Sequence, residues 1–455
     1  MPRLTSVEKA AFDALDKWLD FRTRFGGLAG LQASIRRKGA LVFSRAYGYA
    51  DEPAREKYTV KHAGHIASHS KMFTSCLALQ LQAAGALNIL DPAVTHLPWL
   101  KQHRDKRVRD ITLRDLMSNR SGIFRDGLDA TFWELEKSFL SPAQLQDEVL
   151  AAKLVYDPNT ETKYSNIGVS LLGLALESAS GKSYDALARE RILDKLPGAL
   201  LMTDYGMKKN VTYAAGHSRK LYNGARRVFR HAKAEGMASA TGYCGNTEAT
   251  SLFLHELYFG QKLLPVALQR EMMHLSWPVR NLSTEFYGLG TMFGLAGGHT
   301  YMGHSGGYPG FSSQTRHKRD SDYIFSCILN SNEVIAFNII RTMADLLKKI
   351  GETFGDKEKI DVTPPMLNKW SAIIYVVGAK KALALPVETW TPVDECFLAE
   401  KRGGAFYPDK AGGYMSVGEP VRFIRSRGHV AAVKFGAHTS HDPAEFLRRS
   451  KKAMR

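Results

Sequence analysis

Ser68 and Lys71 stand three residues apart in Ile66-Ala67-Ser68-His69-Ser70-Lys71-Met72, where an extended stretch runs into a helical one. A hydroxyl one helical turn ahead of an amine is a nucleophile with a base over the same face. A helix starting at Ser68 would offer free backbone N–H groups and the positive end of its dipole. Such a place suits a reaction that develops an oxyanion. Burial also weakens a lysine's preference for the charged form, so it can take a proton near neutral pH. The spacing alone is not specific. It recurs at Ser6-Val7-Glu8-Lys9, where Thr5 and Glu8 have the spacing of a capping box opening an exposed helix. The plain reading of Ser68 is likewise an N-cap serine followed by a surface lysine.

Two further stretches carry chemistry. Tyr164-Ser165-Asn166 follows the turn Asp157-Pro158-Asn159 and precedes an apolar helix. His304-Ser305-Gly306-Gly307 lies in the glycine-rich run Gly303 to Ser313. Taken singly, these read as a tyrosine at a helix start and a satisfied core histidine, and His-x-Gly recurs at His62-Ala63-Gly64. Taken together, in this order, the three stretches resemble the serine hydrolases built like class C β-lactamases and penicillin-binding proteins. Ile111-Thr112-Leu113-Arg114-Asp115-Leu116-Met117-Ser118-Asn119-Arg120-Ser121-Gly122 and Tyr287-Gly288-Leu289-Gly290 are similar to that family too. The resemblance covers about residues 20 to 350.

The resemblance implies a mixed α/β (α+β) fold of the β-lactamase/transpeptidase type, an antiparallel sheet flanked by helices plus an all-helical subdomain. It implies Ser68 as nucleophile, with Lys71 and Tyr164 sharing the base work and Tyr164 serving the leaving group or water. Asn166 would offer its amide to a substrate carbonyl, and the N–H groups of Ser68 and Gly307 would form the oxyanion hole. Ser305, Gly306 and Gly307 would line the substrate, since a glycine strand lets a substrate backbone lie close. His304 stands where the family usually carries the lysine of Lys-Thr-Gly. A histidine near pH 7 is mostly neutral, whereas a lysine is a fixed cation for a substrate carboxylate. The resemblance therefore leans to the esterase and D-aminopeptidase branches, with β-lactamase or DD-peptidase activity as the alternative.

The elements that must position these residues follow from pattern. Val7, Ala11, Phe12, Leu15, Trp18 and Leu19 predict an amphipathic helix to about Arg24. Leu31 to Ile35 and Ala40 to Tyr49 predict a hairpin. Helices are expected from Ser68 to Gly85, over Trp133 to Leu150, Ile167 to Ser178, Glu248 to Phe259 and Ala336 to Ile350, and a strand over Ile324 to Asn330. Lys208 to Lys233 is irregular and carries eight Lys or Arg with no Asp or Glu. Beside a cleft, such a stretch would concentrate an anionic substrate; as a solvated loop it would do nothing. Residues 1–350 are expected to form the catalytic domain, 351–370 a linker, and 371–455 a small β-rich accessory domain.

Composition bounds the rest. With 44% hydrophobic and 24% charged residues, the chain reads as soluble and globular. No apolar run approaches the roughly 20 residues that span a bilayer, and no apolar segment follows the N-terminus, so a cytoplasmic location is expected. Four cysteines without paired spacing argue for reduced thiols and against a disulfide framework or a metal site. No cofactor is called for. The net charge of +17 raises nucleic acid as a partner, but no helix-turn-helix or stacking motif supports it. The expected partner is a small-molecule ester or amide. A non-catalytic binding protein on the same fold and a homo-oligomer both stay open.

Overall fold

The computed structural model describes residues 3–25, 27–221, 224–280, 282–296, 299–333 and 335–356. Beyond these it describes 359–362, 366–368, 371–377, 382–389, 407–408, 414–416, 419–426, 429–435 and 438–441. The chain forms two compact units. One holds Met1–Leu4, Arg22–His217 and Val228–Asp345; the other holds Thr5–Phe21, Ser218–Arg227 and Leu346–Arg455.

In chain order the first unit contains strands β1 (Gly30–Arg37), β2 (Ala40–Asp51), β3 (Glu56–Lys57), β4 (Gly64–His65), β5 (Leu201–Thr203), β6 (Gly216–His217) and β7 (Val228–Phe229). There follow β8 (Tyr243–Gly245), β9 (Ser276–Val279), β10 (Leu282–Gly288), β11 (Met292–Ala296), β12 (His299–Tyr308), β13 (Phe311–Lys318) and β14 (Tyr323–Leu329). Nine of these form one sheet in the order β3-β2-β1-β14-β13-β12-β11-β10-β9. The β1–β2, β13–β14 and β12–β13 pairs are antiparallel, as tight turns between consecutive strands require. Strands β4, β8 and β5 make a separate small sheet. Leu31, Ala33 and Ile35 are buried on one face of β1, and Gln32 and Ser34 on the other. The polar face is satisfied by the Thr247–Tyr258 helix: Ser34 Oγ donates to the Thr247 carbonyl at 2.9 Å.

Between β4 and β5 the chain is built of helices and turns. The Ser70–Ala83 helix is buried almost all round, as its apolar sequence demands. It ends in a Schellman motif: Gly85 takes a φ of +73°, Ala86 N–H reaches the Leu81 carbonyl and Gly85 N–H the Gln82 carbonyl. Phe73 pins this helix, stacking on Phe253 at 3.5 Å and on Tyr243 at 4.2 Å between ring centroids. The Asn166–Ser180 helix starts at Ser165, whose hydroxyl accepts from Gly168 N–H at 2.8 Å, and closes at Gly181. Thr112 and Asp115 form a reciprocal capping box on the short Leu113–Met117 helix.

Two expectations need correcting. The helix expected from Ser68 does not begin there. Ala67–His69 forms a 3₁₀ turn and the α-helix begins at Ser70. The cause is Ala67, whose φ of +52° turns the chain sharply out of β4. The helix expected over Trp133 to Leu150 is a 3₁₀ turn, Thr131–Glu134, and then a separate helix, Pro142–Ala151. Ser141 and Gln144 form a capping box there, and Pro142 sits at the first helical position, so a new helix starts instead of an old one continuing.

In the second unit, Thr5 and Glu8 form the capping box that the sequence suggested at Ser6-Val7-Glu8-Lys9. Strand Ser371–Val377 pairs antiparallel with Ala382–Thr389, and Glu419–Ser426 with His429–Phe435. The linker residues Thr363-Pro364-Pro365 lie outside the described residues. Among the described residues, no helix is long and apolar enough to cross a membrane.

Strand β12 meets the Ser68 turn at Gly306. A Cβ there would lie 2.3 Å from both the Ile66 carbonyl oxygen and Ser313 Oγ, whereas a Cβ on Gly307 would meet nothing within 4 Å. Gly306→Ala is therefore expected to lower stability by about 1–3 kcal/mol through overpacking, and Gly307→Ala to leave it nearly unchanged. Chemical denaturation of the two variants measures the difference. Equal stabilities would mean that the strand and the turn do not pack as described.

Candidate active site

Three elements converge on Ser68: its own 3₁₀ turn, the start of the Asn166–Ser180 helix, and β12. The pairing of β11 with β12 ends at Met292 opposite Gly303. From His304 onward that edge of β12 has no strand beside it among the described residues, and the Ser68 turn packs at Gly306 instead. Gly307 is exposed on this stretch.

Ser68 is 9% exposed and Lys71 is fully buried. Lys71 Nζ lies 3.1 Å from Ser68 Oγ, 2.6 Å from Asn166 Oδ1 and 2.8 Å from the Ala240 carbonyl oxygen. Desolvation holds the Lys71 pKa well below its usual 10.5; Asp126 works against this and Arg125 with it. A neutral amine has two N–H groups and one lone pair. Asn166 Oδ1 and the Ala240 carbonyl can only accept, so they take the two N–H groups. Ser68 is the one partner able to donate, and the lone pair falls to its hydroxyl proton.

The Asn166 amide is oriented by Asp126, whose Oδ1 accepts from Asn166 Nδ2 at 2.6 Å. Arg125 pairs with the other Asp126 oxygen at 3.0 Å. Asn166 was expected to present its amide to a substrate. Its oxygen is held by Lys71, and one N–H of its nitrogen remains.

Tyr164 lies close enough to Ser68 for the serine hydroxyl to act on its phenol. Its ring lies 4.8 Å from Lys71 Nζ and 5.3 Å from the Arg125 guanidinium. Burial raises its pKa, outweighing the Ser68 hydroxyl and Arg125, which both lower it. Tyr164 is thus a neutral phenol, better suited to passing a proton than to removing one.

His304 is fully buried. Its Nδ1 lies 2.6 Å from the Ser305 carbonyl and must donate to it; its Nε2 lies 3.0 Å from Tyr287 Oη and accepts from it. Burial pulls its pKa well below the usual 6.5, with Lys71 adding to the effect, so the ring is neutral. Both ring nitrogens are spent within the protein. Ser305 turns to the other face of β12, its hydroxyl 3.4 Å from Met292 Sδ.

The structure brings Ser68, Lys71, Tyr164, Asn166, His304, Gly306 and Gly307 together and aims Ser305 away from the His304 face. Sequence reasoning missed Asp126, Arg125 and the Ala240 carbonyl. Asp126 follows the quoted Ser121-Gly122 stretch by four residues, and no spacing rule marks it. The basic stretch divides: Ser218–Arg227 falls in the second unit, and Arg230 is paired with Asp51 at 2.7 Å.

A model of the Beta-lactamase family matches residues 15–348. Protein flp of Staphylococcus aureus strain N315 is 27% identical over 170 residues, 37% of this chain and 34% of that protein. The chain thus matches about a third of the length of such curated relatives. Among solved structures, the D-amino acid amidase of Ochrobactrum anthropi SV3 superposes with a TM-score of 0.65 at 19% identity, over 75% of this chain and 99% of that one. The octameric penicillin-binding protein homologue of Pyrococcus abyssi gives 0.63 at 17% identity, over 92% and 95%. These likenesses agree on the fold, and the match over residues 15–348 makes this chain a member of the Beta-lactamase family, a family of serine hydrolases.

Proposed function

We propose that the protein hydrolyses a small ester or amide through an acyl-enzyme on Ser68. The observation that carries this reading is the buried Lys71 amine with Ser68 as its only proton-donating partner. Ser68 Oγ attacks the substrate carbonyl while Lys71 takes its proton. The oxyanion that forms faces the N–H groups of Ser68 and Gly307 at the uncovered edge of β12. Tyr164, beside Ser68 and Lys71, passes the proton from Lys71 to the departing alcohol or amine. Water then attacks the acyl group, gives its proton back along the same path, and releases the acid with Ser68 restored. His304 holds β12 and Tyr287 in place and transfers no proton. A neutral ring there gives no fixed cation for a substrate carboxylate, which favours esterase or amidase work over β-lactam turnover. The Ochrobactrum anthropi relative is a D-amino acid amidase, so amides of D-amino acids belong beside p-nitrophenyl esters in the substrate screen.

A fluorophosphonate probe should add once, at Ser68, and Ser68→Ala should lose about a thousandfold or more in turnover. Lys71→Ala and Tyr164→Phe should each cost heavily, and the double variant little more than the worse single one. An adduct elsewhere, or additive losses, would overturn the assignment.

The acid limb of the pH profile should report Lys71. The neutral amine is the working form, so kcat/KM falls as pH drops through its lowered pKa. Asp126 favours the proton on Lys71 and Arg125 disfavours it. Asp126→Asn should therefore move the limb to lower pH and Arg125→Gln to higher pH. Shifts in the same direction, or none, would mean that another group sets the limb.

Penicillin turnover should be slow beside that of the best ester. A penicillin hydrolysed as fast as that ester would remove the argument from His304.

A further inference from the structure

Across the small sheet β4-β8-β5, one rung carries two metal-ligating side chains, His65 and Cys244, that the proposed hydrolysis does not use. His65 on β4 is the register partner of Cys244 on β8, and Cys244 is the partner of Met202 on β5. Directly opposed residues of an antiparallel ladder put their side chains on one face. His231, on the segment leading into the active-site elements, reaches the same spot, and one ligating atom from each of His65, His231 and Cys244 lies within 4.8 Å of the others.

The geometry points to a metal site here, made of His65, His231 and Cys244, for a borderline-soft divalent ion of the zinc type with a fourth position open to water. The donor set is nitrogen and sulfur with no carboxylate, which selects against hard ions such as calcium and magnesium. Cys244 Sγ lies 3.5 Å from His65 Nδ1. Two ligands about 2.0 and about 2.3 Å from a tetrahedral ion stand about 3.5 Å apart.

The support around these groups is rigid. His65 stacks on Tyr308 with ring centroids 4.0 Å apart and planes within 10°. Tyr308 Oη donates to the carbonyl of Ala232, the neighbour of His231, at 2.7 Å. His65 and Cys244 are buried while His231 is exposed, which gives an ion its way in.

Without an ion the groups form a hydrogen-bonded chain. The thiol donates to His65 Nδ1, and His65 Nε2 donates to His231 Nδ1 at 2.7 Å. Metal binding replaces that chain. Cys244 loses its thiol proton to solvent, the thiolate takes the ion, and the exposed His231 ring turns to supply the third ligand. Because His65 precedes Ser68 by three residues and Tyr308 follows Gly307, an ion would brace both sides of the active site.

The test uses the full chain, stripped with a chelator and titrated with Zn²⁺ against a chromophoric competitor, and separately with Co²⁺. One Zn²⁺ per chain is expected, with affinity at least tenfold weaker in His231→Ala and in Cys244→Ser and unchanged in His274→Ala, which alters an exposed histidine elsewhere. Co²⁺ should give a thiolate-to-metal charge-transfer band in the wild type that Cys244→Ser abolishes. His231 is exposed, so its variant reads binding even if the Cys244 variant folds poorly. Absence of the band in the wild type, or equal Zn²⁺ affinity in the wild type and His231→Ala, would overturn the site.

Discussion

The structure turns on the burial of one amine. Taking a lysine ammonium out of water costs several kcal/mol unless the interior replaces its hydration. Around Lys71 the interior supplies only acceptors for two N–H groups, and it supplies them from elements far apart in sequence. That arrangement suits a neutral amine better than an ammonium. It also fixes the direction of the remaining lone pair, because the other two positions are occupied by oxygens that cannot donate. The carboxylate that acts on Lys71, Asp126, is placed to orient Asn166 and is shared with Arg125. Arg125 thus draws on the charge that would otherwise restore the Lys71 proton. Asp126 alone would favour the ammonium, and Arg125 alone would leave Asn166 without its orienting partner.

The second constraint is the approach of β12 to the Ser68 turn. The turn is bought with a strained residue, Ala67 at a φ of +52°, in a region that L-residues visit at a cost of order 1–3 kcal/mol. Such strain persists only where the surroundings over-determine it. Here they do: Ile66 N–H is bonded to the Tyr243 carbonyl, Ser313 Oγ donates to the Ile66 carbonyl, and Phe73 is held between two aromatic rings a turn later. Gly306 carries no side chain where the strand presses on the turn. Gly290 does the same beneath the helix, with a φ of +69° and the Lys71 carbonyl where a Cβ would fall. The Tyr287-Gly288-Leu289-Gly290 motif therefore serves the backbone of the helix that carries Lys71.

What was legible in the sequence is what local spacing encodes. Ser68, Lys71, Tyr164 and Asn166 were singled out by three short motifs occurring in one order, since the Ser-x-x-Lys spacing alone recurs at Ser6 to Lys9. The hairpin, the Asn166–Ser180 helix with its glycine stop, and the Thr247–Tyr258 helix were readable because the spacing of polar and apolar residues fixes their place. Asp126, Arg125 and the Ala240 carbonyl were not, because their roles arise only when three separate elements meet. The helix boundary at Ser68 slipped because Ala67 adopts a conformation that alanine does not advertise. The helix drawn through Ser141 missed a capping box that is plain in Ser141-Pro142-Ala143-Gln144 once the apolar pattern is not allowed to run across it.

The histidine at 304 follows from the same electrostatics. Burial, above all, and the buried Arg316 depress the His304 pKa, so any positive charge at this position is disfavoured before a substrate arrives. Arg316 is itself pulled down to about 10 by burial. A lysine at 304 would put a second amine beside Lys71 and near Arg316, and it would leave Tyr287 without the acceptor that Nε2 provides. It would need a carboxylate close by, from the protein or from the substrate, to be stable there. A neutral imidazole makes no such demand. It completes its hydrogen bonds internally, with Ser305 and Tyr287, and leaves the edge of β12 uncovered. In the proposed reaction that edge would meet the substrate through backbone polar groups, which would suit an acyl group without an obligatory negative charge.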